Sequence, residues 1–201
     1  MTDEHRHALL ATIETASVRS DRLTDYAAVS IAFEVRGRLL AVRPHDQAPF
    51  RLTEGSAPHP YTKDYDAHGE TPIAWSAQFD TSRWTLFLAR VDRRCVGGAT
   101  LAVHTPGLDM LEGRDDLAVL WDIRVDPTCR GRGVGRSLFR AVEAAALAQG
   151  CRELKVETQN INVSACRFYA ALGCQLRTVR EQAYPACPGE VQFLWYKTLT
   201  A

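Results

Sequence analysis

From Trp84 onward the chain alternates between runs dense in β-formers and stretches with apolar residues at helical spacing. Trp84 to Val91 and Cys95 to Val103 flank the turn Asp92-Arg93-Arg94, which predicts an antiparallel hairpin. Thr105 to Asp116 is a turn-rich connection, and Leu117 to Val125 is a third strand, apolar at its start. Val134, Leu138, Ala141, Val142 and Ala145 then fall on one face of a helix running from Arg136 to Gln149, with Gly150 where a left-handed cap belongs. Leu154 to Thr158 is the next strand. Strand, glycine turn, helix and strand in that order predict two parallel strands joined by a right-handed crossover. Asn162 caps a second helix with Ala165, Phe168 and Leu172 on one face and Gly173 at its end. Gln175 to Tyr184 and Val191 to Leu199 close the chain as a hairpin around Pro185 to Gly189.

The first third is patterned less clearly. Ala11 to Ser20 fits a strand or a short helix, Asp21 to Phe33 has helical spacing behind a Ser20 or Asp21 cap, and Glu34 to Val42 is extended. Residues 44–70 are rich in Pro, His, Asp and Gly; they read as a long loop with at most one strand at Phe50-Arg51-Leu52. A loop of that length in a compact domain is often functional.

At 201 residues with 46% hydrophobic and 24% charged positions, the expectation is a single domain, residues 1–201, with an ordinary globular core. Zero formal net charge removes the global basic field of a nucleic-acid binder. The polar start Met1 to His7 shows no secretory signal, and no run approaches the length of a spanning helix, so a cytoplasmic protein without membrane partners is expected. Six cysteines without a C-x-x-C pair read as free thiols, and no metal-ligand constellation is visible.

The chemistry concentrates between the third strand and the helix after it, in Arg130-Gly131-Arg132-Gly133-Val134-Gly135-Arg136. Alternate glycines leave the backbone bare, and a first helical turn presents unpaired N–H groups and a positive dipole end. Together they form an anion cradle, and three arginines add donors suited to phosphate oxygens. A glycine turn that holds no ligand is the plainer reading, but such a turn gains nothing from clustered arginines. The run is neither G-x-x-x-x-G-K-[ST] nor G-x-G-x-x-G, which argues against a nucleotide-binding protein; it fits R-x-x-G-x-G from Arg130 through Gly133 to Gly135.

Downstream, Asn162 to Tyr169 fits N-x-x-A-x-x-F-Y. Both motifs in this strand–helix–strand context resemble the GNAT superfamily of N-acetyltransferases, over roughly Trp84 to Ala201. Within it, Glu157 to Cys166, Tyr61 to Asp66 and Leu194-Trp195-Tyr196 look like the streptothricin acetyltransferase subgroup. The resemblance implies a mixed α/β fold. Its central sheet has six to seven mostly antiparallel strands with the parallel fourth and fifth splayed apart, flanked by about four helices. It also implies acetyl-CoA as co-substrate and no metal. The diphosphate would take main-chain amides from Gly131 to Arg136, Val134 among them. The pantetheine arm would pair with Ile123, Arg124 and Val125 like an added strand, and Asn162 and Phe168 would support that region. Tyr169 would protonate the departing thiolate, facing the slot while Phe168 packs in the core.

Asp122 and Glu157 lie on the two strands expected to splay, and either can serve as the base that deprotonates the amine. Asp64, Asp66, Glu70 and Asp80 are acidic residues available to a cationic acceptor, with the loop at residues 44–70 on the acceptor side. Tyr65, Trp121 and Tyr184 are candidate acceptor-site aromatics. The leading expectation is therefore an enzyme acetylating a primary amine of a small molecule, a streptothricin-type antibiotic included. A protein N-terminal or lysine acetyltransferase and a non-catalytic acyl-CoA-binding module remain alternatives. An exposed final strand would offer a dimer edge.

Overall fold

The computed structural model describes residues 11–18, 20–46, 48–69 and 71–200; the start Met1 to His7 and Glu70 lie outside them. A seven-stranded sheet has the order β1-β4-β5-β6-β7-β9-β8, from β1 (Thr12–Ser17), β4 (Thr85–Val91), β5 (Arg94–Ala102), β6 (Leu117–Val125), β7 (Glu153–Gln159), β8 (Gln175–Arg180) and β9 (Gln192–Thr198). All neighbours are antiparallel except β6 and β7. Among the described residues the helices are α1 (Ser20–Ala27), the single-turn α2 (Trp75–Gln78), α3 (Val134–Ala148) and α4 (Val163–Ala171). A separate two-stranded sheet pairs β2 (Phe33–Val42) with β3 (Arg51–Lys63).

The strands and helices after Trp84 stand where their hydrophobic patterns put them. Val134, Leu138, Phe139, Val142 and Ala146 of α3 are buried against the sheet, and Gly150 follows α3 in the left-handed region. Three expectations fail. Residues 44–70 are not mainly loop, because Arg51–Lys63 is a long strand. Its prolines disguised it. Pro58 and Pro60 fall between the paired Ser56 and Tyr61, at the register shift opposite Arg36, and β3 has a free edge where missing N–H donors cost nothing. The helix expected to reach Phe33 stops at Ala27, and β2 begins at Phe33. The final strand is no edge: β9 is inserted between β7 and β8, so β1 and β8 are the outer strands.

Two local devices open the sheet in its middle. The β5–β6 register slips between Thr100↔Asp122 and Leu101↔Leu120, so Trp121 is an extra residue in β6. A bulge of this kind bends its strand. The β6–β7 ladder correspondingly ends at Leu120↔Val156, and beyond it the two parallel strands diverge as expected. On the other face, Gly98 lets α1 lie close: a Cβ there would stand 2.6 Å from the Tyr26 ring and from the Phe87 carbonyl oxygen. Tyr26 is thereby fully buried against β5.

Candidate functional site

Divergence of β6 and β7 leaves a cleft of about 1270 Å³, walled by both strands, the glycine loop, α2, α4 and several connecting segments. On the β6 side it exposes bare main chain. Asp126 N donates to Val96 of β5 at 2.8 Å, so by alternation Ile123 and Val125 turn their N–H and C=O groups toward the gap. The Arg124 main chain faces β5.

The glycine loop closes one end. Gly131 and Gly133 have φ of 73° and 92°, in the left-handed region, and Gly133 is the N-cap of α3 without any side-chain cap. The first helical donor is Ser137, bonded to Gly133 O at 3.0 Å. No described group accepts from the N–H groups of Gly133 to Arg136, and nothing lies within 4 Å of a Cβ placed on Gly133. Orphan donors, a dipole end and free space together fit an anion. Gly131, Gly133, Gly135 and Arg136 line the cleft, whereas the Val134 side chain is in the core and Arg132 stands apart. Arg130 lines it too, but its guanidinium is already engaged: Nε donates to Val125 O at 2.9 Å and Nη2 to Ser30 O and Ala32 O. It braces the loop against β6 and the segment after α1.

Asn162 caps α4, its Oδ1 accepting from Ala165 N at 3.1 Å and from Ser164 Oγ at 3.0 Å. Tyr169 reverses one expectation: it is only 4% exposed and belongs to the core, while Phe168 is half-buried beside Gly135. The sheet-facing pair of α4 is Cys166 and Tyr169, three residues apart. Both aromatics nevertheless line the cleft, and the Tyr169 hydroxyl has no hydrogen bond to any described group. Burial pushes its phenol well above the ordinary range, so it stays protonated and can donate.

The two carboxylates on the splayed strands differ in availability. Asp122 Oδ2 takes Arg124 Nη2 at 2.5 Å and Nε at 3.0 Å, while Oδ1 is buried without a partner. Burial raises its pKa, opposed by Arg124. Arg124, 3% exposed, also bonds Asp66 at 2.8 Å and lies over the Tyr26 ring. Glu157 is half-buried and has no ion pair among the described residues. Its oxygens accept from Tyr184 OH at 2.6 Å and Gln192 Nε2 at 2.7 Å, and Gln159 steadies Tyr184 at 3.1 Å.

Of the other residues expected on the acceptor side, Tyr65, Asp66, Trp121 and Tyr184 line the cleft. Trp121 also packs on Phe79 and Trp84. Asp64 is not in the wall; its Oδ1 accepts from Asp66 N at 3.1 Å and shapes the turn. Asp80 caps Ser82 away from the cleft. Sequence reasoning gave no role to Lys63, although it stands in the stretch Tyr61 to Asp66, and missed Glu190, Cys187 and Gln192, which meet Lys63, Tyr65 or Glu157 across distant segments and carry no motif. No group of residues among those described is arranged to hold a metal ion, and no described helix is long and apolar enough to cross a membrane.

Comparison with known proteins agrees with this geometry. The model of a family described as acetyltransferase (GNAT) matches residues 41–174. Streptothricin acetyltransferase A of Bacillus subtilis (strain 168) is 27% identical over 177 residues, covering 87% of this chain and 93% of that protein. Streptothricin acetyltransferase of Escherichia coli is 35% identical over 85 residues, 41% of this chain and 49% of that protein. The crystal structure of nourseothricin acetyltransferase superposes with a TM-score of 0.74 at 21% identity, covering 96% of this chain and all (100%) of that one. A Bacillus anthracis protein assigned as a streptothricin acetyltransferase, solved with acetyl coenzyme A, also scores 0.74 at 21% identity, over 93% of this chain and 99% of that one.

Proposed function

The chain belongs to the acetyltransferase (GNAT) family, and from that premise we propose that it moves an acetyl group from acetyl-CoA to a primary amine of a small molecule of streptothricin type, by direct attack in a ternary complex. The observation that carries the donor reading is the row of unpaired amides from Gly133 to Arg136, continuous with the open side of β6. Acetyl-CoA supplies the activated acyl group. Amides at the start of α3, with Gly131 and Arg136 beside them, bind its diphosphate. The N–H and C=O of Ile123 and the N–H of Val125, whose carbonyl is taken by Arg130, pair with its amide-bearing arm and aim the thioester into the gap beside Tyr169.

Glu157, rather than Asp122, takes the proton of the incoming amine. Asp122 has one oxygen spent on Arg124 and the other sealed from solvent, whereas Glu157 faces the cleft held only by neutral donors. Tyr169 donates its hydroxyl proton toward the leaving sulfur; its burial keeps that proton in place until then. Charge supports a cationic acceptor. Glu157 has no described cation paired with it, and Asp66 and Asp122 share Arg124, so these groups together carry excess negative charge. The relatives named for streptothricin point to the same class of amine.

Thiol release from acetyl-CoA, measured against streptothricin, aminoglycosides, polyamines and lysine peptides, tests this reading. Turnover with a compact polyamine-like acceptor is expected. Exclusive turnover of peptides would move the assignment to a protein acetyltransferase, and binding of acetyl-CoA without turnover of any amine would make it a binding module.

A further inference from the structure

In the wall of the cleft, two segments distant in sequence close on one another. Glu190 lies in the connection from β8 to β9, and Lys63 and Tyr65 lie at the end of β3. Glu190 Oε1 accepts from Lys63 Nζ at 2.6 Å, and Oε2 accepts from Tyr65 OH at 2.8 Å. Both carboxylate oxygens are thus spent on the opposite segment. Lys63 also donates to Cys187 Sγ at 3.3 Å and stands 4.8 Å from the Tyr65 ring centre. Lys63 is 9% exposed and Glu190 8%, so this charge pair is largely withdrawn from water. Tyr65, Cys187 and Glu190 are themselves cleft wall.

The placement has a consequence for entry. The β2–β3 sheet is hydrogen-bonded to the rest of the molecule through Leu39 and Asn160, Arg43 and the Arg177 carbonyl, and Glu54 and Arg167, and Tyr65, just past its β3 end, stands in the cleft wall. There the Glu190 contacts tie it to the β8–β9 connection of the other sheet. We propose that Lys63, Tyr65 and Glu190 form a clasp that determines acceptor specificity. Closed, it spans the acceptor half of the cleft and admits an amine on a compact or end-on molecule, but not an amine on a chain that must cross the cleft on both sides. This rests on the acetyltransferase reading above and names the feature that sets acceptor size.

A partly buried ion pair suits the task. One removed partner leaves the other charge desolvated, so the clasp loosens as a unit rather than creeping. Exchanging the two charges restores the pair with the same span.

The test compares kcat/KM for a lysine peptide blocked at both ends with that for a compact polyamine, in wild type, Glu190→Gln, Tyr65→Phe and the exchanged pair Lys63→Glu/Glu190→Lys. Glu190→Gln should raise the peptide-to-polyamine ratio by about tenfold or more, through a lower peptide KM, a size typical of discrimination by one pocket contact. Acetyl-CoA affinity should be unchanged. Tyr65→Phe, which deletes a single hydroxyl and keeps the ion pair, should move the ratio in the same direction by less and serves where Glu190→Gln does not fold. The exchanged pair should return the ratio toward wild type. A ratio that stays at the wild-type value in both Glu190→Gln and Tyr65→Phe would overturn the clasp while leaving the small-molecule reading intact. Wild-type enzyme that takes the peptide as readily as the polyamine would overturn both.

Discussion

The two halves of the cleft are built from different materials. The half assigned to the coenzyme is mostly main chain: the free edge of β6 and the uncapped start of α3, two neighbouring elements separated only by the short loop between Val125 and Val134. The half assigned to the acceptor is side chains: Glu157 with Tyr184 and Gln192, Asp66 with Arg124, and Glu190 with Lys63 and Tyr65, drawn from segments up to 127 residues apart. Main-chain recognition requires glycines at fixed spacing and so writes a motif. Side-chain recognition needs only that the right groups meet, and many sequences can arrange that. A constant donor and a variable acceptor suit such a division.

The sharpest break of this contrast is Tyr169→Phe, at the junction of the halves. Turnover should fall by about 10²–10⁴-fold, the range of a positioned acid, with acetyl-CoA affinity held. The hydroxyl has no partner among the described residues, so thermal stability should barely move; an unchanged kcat in the thiol-release assay would remove Tyr169 from the acid role.

Next comes Arg124→Met, which leaves Asp122 and Asp66 without their shared cation. A broken buried pair costs about 3–5 kcal/mol, to be read as a lower midpoint in denaturant unfolding. A midpoint equal to wild type would mean that solvent already screens this pair.

Gly133→Val tests the coenzyme half alone. The side chain would fill the space beside the orphan amides and strain a backbone at φ 92°. Acetyl-CoA binding by calorimetry should weaken by about 100-fold, or about 2.7 kcal/mol. Normal affinity would place the diphosphate elsewhere.

The smallest effect concerns thiols. Burial pushes Cys166 up to about 11 and Cys174 up to about 12. Alkylation needs the thiolate, so both remain protonated and inert near neutral pH. Mass spectrometry after iodoacetamide should find label on the half-buried Cys187 of the acceptor wall, with acetyl-CoA binding retained. Prior label on Cys166 would show that α4 opens far more readily than its packing implies.

Legibility of the sequence followed the same division. The hairpin of β4 and β5, the β6–α3–β7 crossover and the caps at Asn162 and Gly150 could be read because local pattern and local structure coincide there. β3 was misread because its prolines matter only if both edges are paired, and one is free. The roles of Asp122 and Glu157 stayed undecided because alternation along a strand does not say which side faces the gap, and the bulge at Trp121 shifts that alternation.

The amino-acid sequence by itself determined the order of strands and helices after Trp84, the phosphate-type loop and the kinship with acetyltransferases, since each is encoded within a few tens of consecutive residues. Only the tertiary structure decided that Arg124 immobilises Asp122, that Tyr169 is buried more deeply than Phe168, and that Lys63 meets Glu190. Those outcomes depend on how far two strands diverge and on which distant side chains compete for one charge, and no local pattern carries that information.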